Sequence, residues 1–189
     1  EYIIKHFSGF SEELGNYAKY AFENNWLDVE PRKGKSGGAF CAGVHQIKES
    51  RIMSNFLDGS FESMLTLAHE LGNGYHGHCL KDESYINSDY PMPIAETAST
   101  FCETIICNAA IKELEDKKSK LAVLENQISG ATQVIVDIYA RFLFESRMFE
   151  ERKNGSLSVD ELKELMLSAQ KESYGAGLNE ESIHPYMWI

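Results

Sequence analysis

The chain has 189 residues, 43% of them apolar and 25% charged, the balance of a globular protein with enough chain for one real core. A formal net charge of −11 sets its surface against phosphate backbones, which excludes a nucleic-acid partner. The most apolar windows, 131–144 and 94–111, are broken by Asp137, Arg141, Glu96 and Glu103, so no membrane span is expected.

In chain order, Ser11 caps a helix expected to run to Trp26, with Glu12 and Glu13 in its first turn and Leu14, Tyr17, Ala18 and Ala21 at helical spacing. Residues 31–38 form a basic, glycine-rich loop, and its Arg32, Lys33 and Lys35 read as solvated. Two short strands follow, at 38–47 and 51–56. Ser60, with Glu62 behind it, opens a helix expected to reach Leu80. A polar loop ends in Pro91 and Pro93, and a helix is expected over 95–114. A long helical run covers roughly 119–153 and stops at Asn154-Gly155. Ser158 and Glu161 make a capping box for a last helix to about Ser173. The tail from Tyr174 is irregular and aromatic. Cys41, Cys79, Cys102 and Cys107 form no CxxC pair and read as reduced thiols of a cytoplasmic protein, with Cys102 and Cys107 facing the core. No signal peptide is apparent, and a first residue of Glu1 instead of Met reads as a processed or chosen start.

The chemistry concentrates in His69-Glu70-Leu71-Gly72-Asn73. A zinc-binding helix places two histidines at i and i+4 so that both imidazoles reach one ion, and the glutamate after the first histidine serves as general base toward the metal-bound water. Here the first histidine and the glutamate are present, and Asn73 holds the fifth position. Gly72, Gly74 and Gly77 each cost a helix interior about 1 kcal/mol relative to alanine, which points to close approach by a neighbouring element or a ligand. Glu96 suits a third zinc ligand. Glu103, seven residues on, shares its face and could hold the outer nitrogen of a ligating histidine, and Ser99 lies on that face too. Taken singly, His-Glu reads as two polar helix residues, and Glu96 as an acid favoured by a helix N-terminus. Glu103, inside an apolar run, fits neither plain reading. His76 and His78 read as residues suited to a helix C-terminus, since two turns, roughly 10 Å, separate His69 from His76.

Thr66–Gly72 with Gly74-Tyr75-His76 resembles the zinc helix of the thimet oligopeptidase family, specifically the oligoendopeptidase F type. Residues 93–103 resemble that family's third-ligand helix, residues 32–41 the strand region before the zinc helix, and residues 184–188 a stretch beyond the last helix. The four blocks occur in the family's order and spacing, so the similarity extends over most of the chain. The resemblance implies a mainly α fold, a helical zincin-type metallopeptidase core with a small β-sheet. It implies one zinc ion, with His69, position 73 and Glu96 as ligands, Glu70 as catalytic base and Glu103 behind a ligand. Gly38, Ala39 and Phe40 would lie along the substrate backbone, with His76 nearby. Zinc binding is expected to be weakened by Asn73, a neutral amide where the family has its second histidine.

The expected function is zinc-dependent hydrolysis of oligopeptides, impaired at Asn73. The alternative is a catalytically inactive peptide-binding module of the same fold. A helical bundle with a di-metal site is disfavoured, because Glu181-Ser182-Ile183-His184 occurs once and runs into Pro185. The whole chain, 1–189, reads as one catalytic-core segment, with the β element at 27–58, the zinc-site helices at 60–116 and the C-terminal helices and tail at 117–189. Its partners are short peptides and the missing remainder of a longer peptidase chain.

Overall fold

The computed structural model describes residues 1–188. The chain divides into two compact units, Glu1–Lys120 and Leu121–Ile189. The first is a helical layer against a three-stranded sheet; the second is a helical hairpin with an aromatic tail.

The first helix, α1 (Tyr2–Phe10), carries none of the signals that mark a helix start: Glu1 makes no capping bond and the first turn holds no acid. It is held by burial of Ile3 and Phe7, four residues apart on one face. Ser11 ends it and begins α2 (Glu12–Glu23), where its hydroxyl accepts from the Leu14 N–H. Leu14, Tyr17, Ala18 and Ala21 are buried as their spacing predicts, but the helix ends before Trp26.

The sheet has the order β1-β3-β2, from Leu27–Asp28, Glu49–Met53 and Phe40–Val44. β1 is parallel to β3, and β2 is antiparallel to it with Cys41 opposite Ile52. Of the expected strand 38–47, only 40–44 is extended in the sheet. A 3-10 turn at His45–Ile47 and Lys48 in the left-handed region make the connection. The basic loop is less solvated than its charge implies. The Lys35 side chain is 3% exposed, and its ammonium donates to the Ser54 and Asp28 carbonyl oxygens at 2.6 and 2.8 Å and to Asp28 Oδ1 at 3.1 Å. Arg32 forks onto the same carboxylate. The loop is thereby clasped to the ends of β1 and β3.

Helix α3 (Phe61–Cys79) starts where Ser60 accepts from the Ser63 N–H at 3.1 Å, and Glu62 stands in its first turn. It is buried on opposite sides, through Leu65, Ala68 and Gly72 and through Leu67, Leu71 and Gly74. It packs on α4 and on strands β2 and β3. Helix α4 (Met92–Glu113) begins three residues before the expected Ala95. Pro93 lies in its first turn and not ahead of it, because first-turn N–H groups have no intrahelical acceptor and a proline there loses nothing. Cys102 and Cys107 are buried, as expected. The core of this unit joins Phe7, Leu14, Trp26, Ile52, Leu71 and Ile106.

The long helical run is continuous from α5 (Lys117–Thr132) through a π-turn at Gln133–Asp137 into α6 (Ile138–Glu151). The π-turn frees backbone groups, and Ser173 on α7 donates its hydroxyl to the Val136 carbonyl. Asp137 accepts from Gln133, Arg141 and Tyr174. Helix α7 (Val159–Tyr174) opens with the reciprocal Ser158–Glu161 capping box. Phe144, Met166 and Ala169 form the core of this unit, and the tail closes on it, with Trp188 stacked on Phe144 at 5.2 Å.

Candidate active site

The site is built by two helices that touch backbone to backbone. A Cβ on Gly72 would stand 2.8 Å from the Ala98 carbonyl oxygen, so only glycine lets α4 lie this close to α3. Gly74 is crowded by side chains, since a Cβ there would meet the Tyr17 hydroxyl of α2 at 2.2 Å and Cys41 Sγ of β2 at 3.3 Å. Among the described residues, nothing beyond its own helix lies within 4 Å of a Cβ on Gly77, so close packing does not explain it.

Across the α3–α4 contact, His69 lies between two carboxylates. Its Nε2 is 3.0 Å from Glu96 Oε2 and its Nδ1 is 2.5 Å from Glu103 Oε1. The hydrogen bond with Glu103 raises the His69 pKa above its ordinary value. Burial works against this, and the charges of Glu103, Glu70 and Glu96 add to it. With Nδ1 bound to Glu103, the ring presents Nε2 toward Glu96.

Glu70, next in sequence, turns to another side of α3 and is 5% exposed. Burial pushes its carboxyl up from the usual value. The charge on His69 and the neighbouring Asn73 amide pull it down, and Glu96 and Glu103 push it further up. The net shift is upward, toward the protonated form. Cys41 of β2 borders the same region. Burial pushes its thiol up to about 11, with the charge of Glu70 adding to the shift.

Two atoms bound to a tetrahedral zinc at about 2.1 Å each lie about 3.4 Å apart. His69 Nε2 and Glu96 Oε2, at 3.0 Å, stand closer than that, in direct hydrogen-bond contact, and would have to part slightly to share an ion. Asn73 follows His69 by one turn on the same face and supplies only an amide oxygen. Among the described residues, no three His, Cys, Asp or Glu side chains are grouped to hold a metal. Of the set implied by the resemblance, His69 and Glu96 carry donor atoms suited to zinc, and Asn73 would add only a neutral amide.

The structure thus brings together His69, Glu70, Asn73, Glu96 and Glu103. Gly38 and Ala39 precede the sheet, Gly38 with φ +80°, and only Phe40 lies on β2. That strand is an edge of the sheet, and Phe40 is 51% exposed. His76 stacks on Tyr90 at 4.2 Å, with its Nδ1 buried and without a hydrogen-bond partner among the described residues. His78, near the end of α3, contacts the Lys81 ammonium at 3.1 Å. An aromatic-lined cavity of about 840 Å³, bounded by Tyr17, Tyr20, Trp26 and Tyr75, contains none of the expected site residues.

Ser99, on the same face of α4 as Glu96 and Glu103, also joins the site. Its hydroxyl donates to Glu96 Oε2 at 2.8 Å. The i, i+3 spacing of Glu96 and Ser99 was the available signal.

Residues 9–187 match the profile of Peptidase family M3. The chain is 28% identical over 181 residues to the chromosomal oligoendopeptidase F of Lactococcus lactis subsp. cremoris, covering 95% of this chain and 30% of that protein. It is 26% identical over 180 residues to oligopeptidase PepF of Bacillus subtilis, covering 94% and 27%. A Chlamydophila abortus crystal structure described as a peptidase superposes with a TM-score of 0.79 at 20% identity, over 99% of this chain and 32% of that one. A Bacillus anthracis structure described as an oligoendopeptidase F gives 0.74 at 19% identity, over 99% and 33%. These structures share the fold. The chain spans about 30% of the length of the relatives it matches.

Proposed function

The chain belongs to peptidase family M3, and we propose that it is the catalytic-core segment of a zinc-dependent oligopeptidase whose hydrolysis is impaired at Asn73. One observation carries this reading: His69 is held between Glu96 and Glu103 beside the buried carboxyl of Glu70. In it, His69 and Glu96 hold the metal, Asn73 is the weak third ligand and Glu103 fixes the His69 ring. Zinc, when bound, supplies Lewis acidity for attack on a peptide carbonyl. Glu70 accepts a proton from the attacking water and returns it to the amide nitrogen that leaves. The edge strand β2, from Phe40, with Gly38 and Ala39 ahead of it, aligns an extended short peptide as an added strand, with His76 nearby.

No helix among the described residues is long and apolar enough to cross a membrane. We place the protein in the cytoplasm, a reading supported by the free thiols of Cys41, Cys79 and Cys102.

A second reading keeps the fold and the edge strand and removes the chemistry, leaving a module that binds peptides without cutting them. Asn73 is the residue that favours it. Elemental analysis after dialysis, on this chain and on Asn73→His, separates the two when paired with hydrolysis of an internally quenched oligopeptide. The zinc-peptidase reading expects Asn73→His to retain one zinc per chain and this sequence far less. Absence of zinc from both forms sinks it and leaves peptide binding without hydrolysis.

A further inference from the structure

Ser99 lies on α4 with no exposed surface, one turn after Glu96. Two features of this residue need separate explanations. Its small size is explained by the helix contact: a Cβ on Gly72 would stand 2.9 Å from the Ser99 Cα, so a bulky residue has little room here. Alanine would meet that demand equally well, so packing does not explain the hydroxyl.

The hydroxyl bonds to one residue. It donates to Glu96 Oε2 at 2.8 Å and also lies 3.0 Å from the Glu96 carbonyl oxygen. That same Oε2 is the atom 3.0 Å from His69 Nε2. Thr100, the next hydroxyl on the helix, bonds only to the carbonyl oxygens of Glu96 and Thr97 and leaves the carboxylate alone. The Glu96 side chain is 54% exposed, so little packing restrains its rotatable bonds. A buried donor fixed to the helix one turn away supplies the missing restraint.

We propose that Ser99 is a positioning residue that aims the Glu96 carboxylate at the point where the metal is held. The residues 96, 99 and 103 then act as one row on α4. Glu96 faces the metal, Ser99 sets the direction of Glu96, and Glu103 sets the direction of His69. The inference rests on the reading of Glu96 as a metal ligand.

The test uses Asn73→His as the parent, with and without Ser99→Ala. Zinc affinity is measured by competition with a chromophoric chelator. Co²⁺ is then bound to each form, and its visible absorption reports the ligand set. Ser99→Ala is expected to weaken zinc binding by about 10–100-fold and to alter the Co²⁺ bands. The thermal midpoint of the metal-free chain should stay close to the parent's. Unchanged affinity and unchanged Co²⁺ bands overturn the role of Ser99 while leaving the metal site standing. A loss of affinity matched by an equal loss of metal-free stability assigns Ser99 to packing and also overturns it. If Asn73→His itself binds neither ion, the metal-site reading has failed and the role of Ser99 falls with it.

Discussion

Gly72 and Ser99 meet backbone to backbone: a Cβ on Gly72 would stand 2.9 Å from the Ser99 Cα and 3.0 Å from the Cys102 Cβ. The neighbouring atoms belong to a helix backbone and a buried side chain, so nothing there can yield cheaply. Gly72→Ala raises intrinsic helix propensity by about 1 kcal/mol. Overpacking of this kind costs about 1–3 kcal/mol. The net expectation is loss of stability, with α4 displaced and the His69–Glu96 and His69–Glu103 contacts lengthened. Urea unfolding checks the first part. A Gly72→Ala chain as stable as the parent would show that the helices can separate without cost.

Much of the helical layout was legible in local chemistry. Ser60 and Glu62 announced α3, and Ser158 with Glu161 announced α7, because capping is a short-range hydrogen-bond pattern written in adjacent residues. Helix α1 carries no such pattern and depends on the burial of Ile3 and Phe7, which is a tertiary fact. Pro93 fits the end of a loop as well as a first helical turn, because proline is tolerated in both places. The burial of Lys35 was invisible for a similar reason, since its four acceptor contacts come from Asp28, Glu30 and Ser54. At the site, spacing alone placed Glu96, Ser99 and Glu103 on one face of α4. That this face meets His69 depends on the approach permitted by Gly72, which periodicity does not encode.

Glu103 offers a separable test of ring orientation. In an Asn73→His background, Glu103→Gln keeps an oxygen that can accept from His69 Nδ1 but removes the charge, whereas Glu103→Ala removes both. Zinc affinity should fall in the order parent, Gln, Ala, with the alanine variant lower by about 10–100-fold. Chelator competition reads this directly. Equal affinities for the three chains would mean that the 2.5 Å contact does not orient the ligand.

The capping box at Ser158 tests the second unit independently of the site. The Ser158 hydroxyl accepts from the Glu161 N–H, and Glu161 Oε2 accepts from the Ser158 N–H at 2.7 Å. Ser158→Ala should cost about 0.5–2 kcal/mol, seen as faster amide exchange in the first turns of α7. Zinc uptake by the Asn73→His chain should not change. Unaltered exchange protection there would mean that α7 is fixed by its packing on Phe144 and not by its cap.

The clasp at Asp28 predicts an acid-dependent loss of stability. Hydrogen bonds from Arg32 and then Lys35 hold the Asp28 carboxyl well below the usual carboxylate range. A carboxyl more acidic in the folded than in the unfolded chain stabilises the fold above its unfolded value, about 3.9. That contribution disappears as the pH falls through the lower folded value. Protonation would also leave the buried Lys35 ammonium facing carbonyl oxygens alone. Asp28→Asn carries no such titration. The variant is therefore expected to unfold at a lower temperature than the parent at pH 7, and to lose less than the parent between about pH 4 and pH 2. Thermal midpoints measured across that interval decide the matter. Parallel pH profiles for the two chains would show that Asp28 titrates alike in the folded and unfolded states, and that the clasp contributes nothing to acid sensitivity.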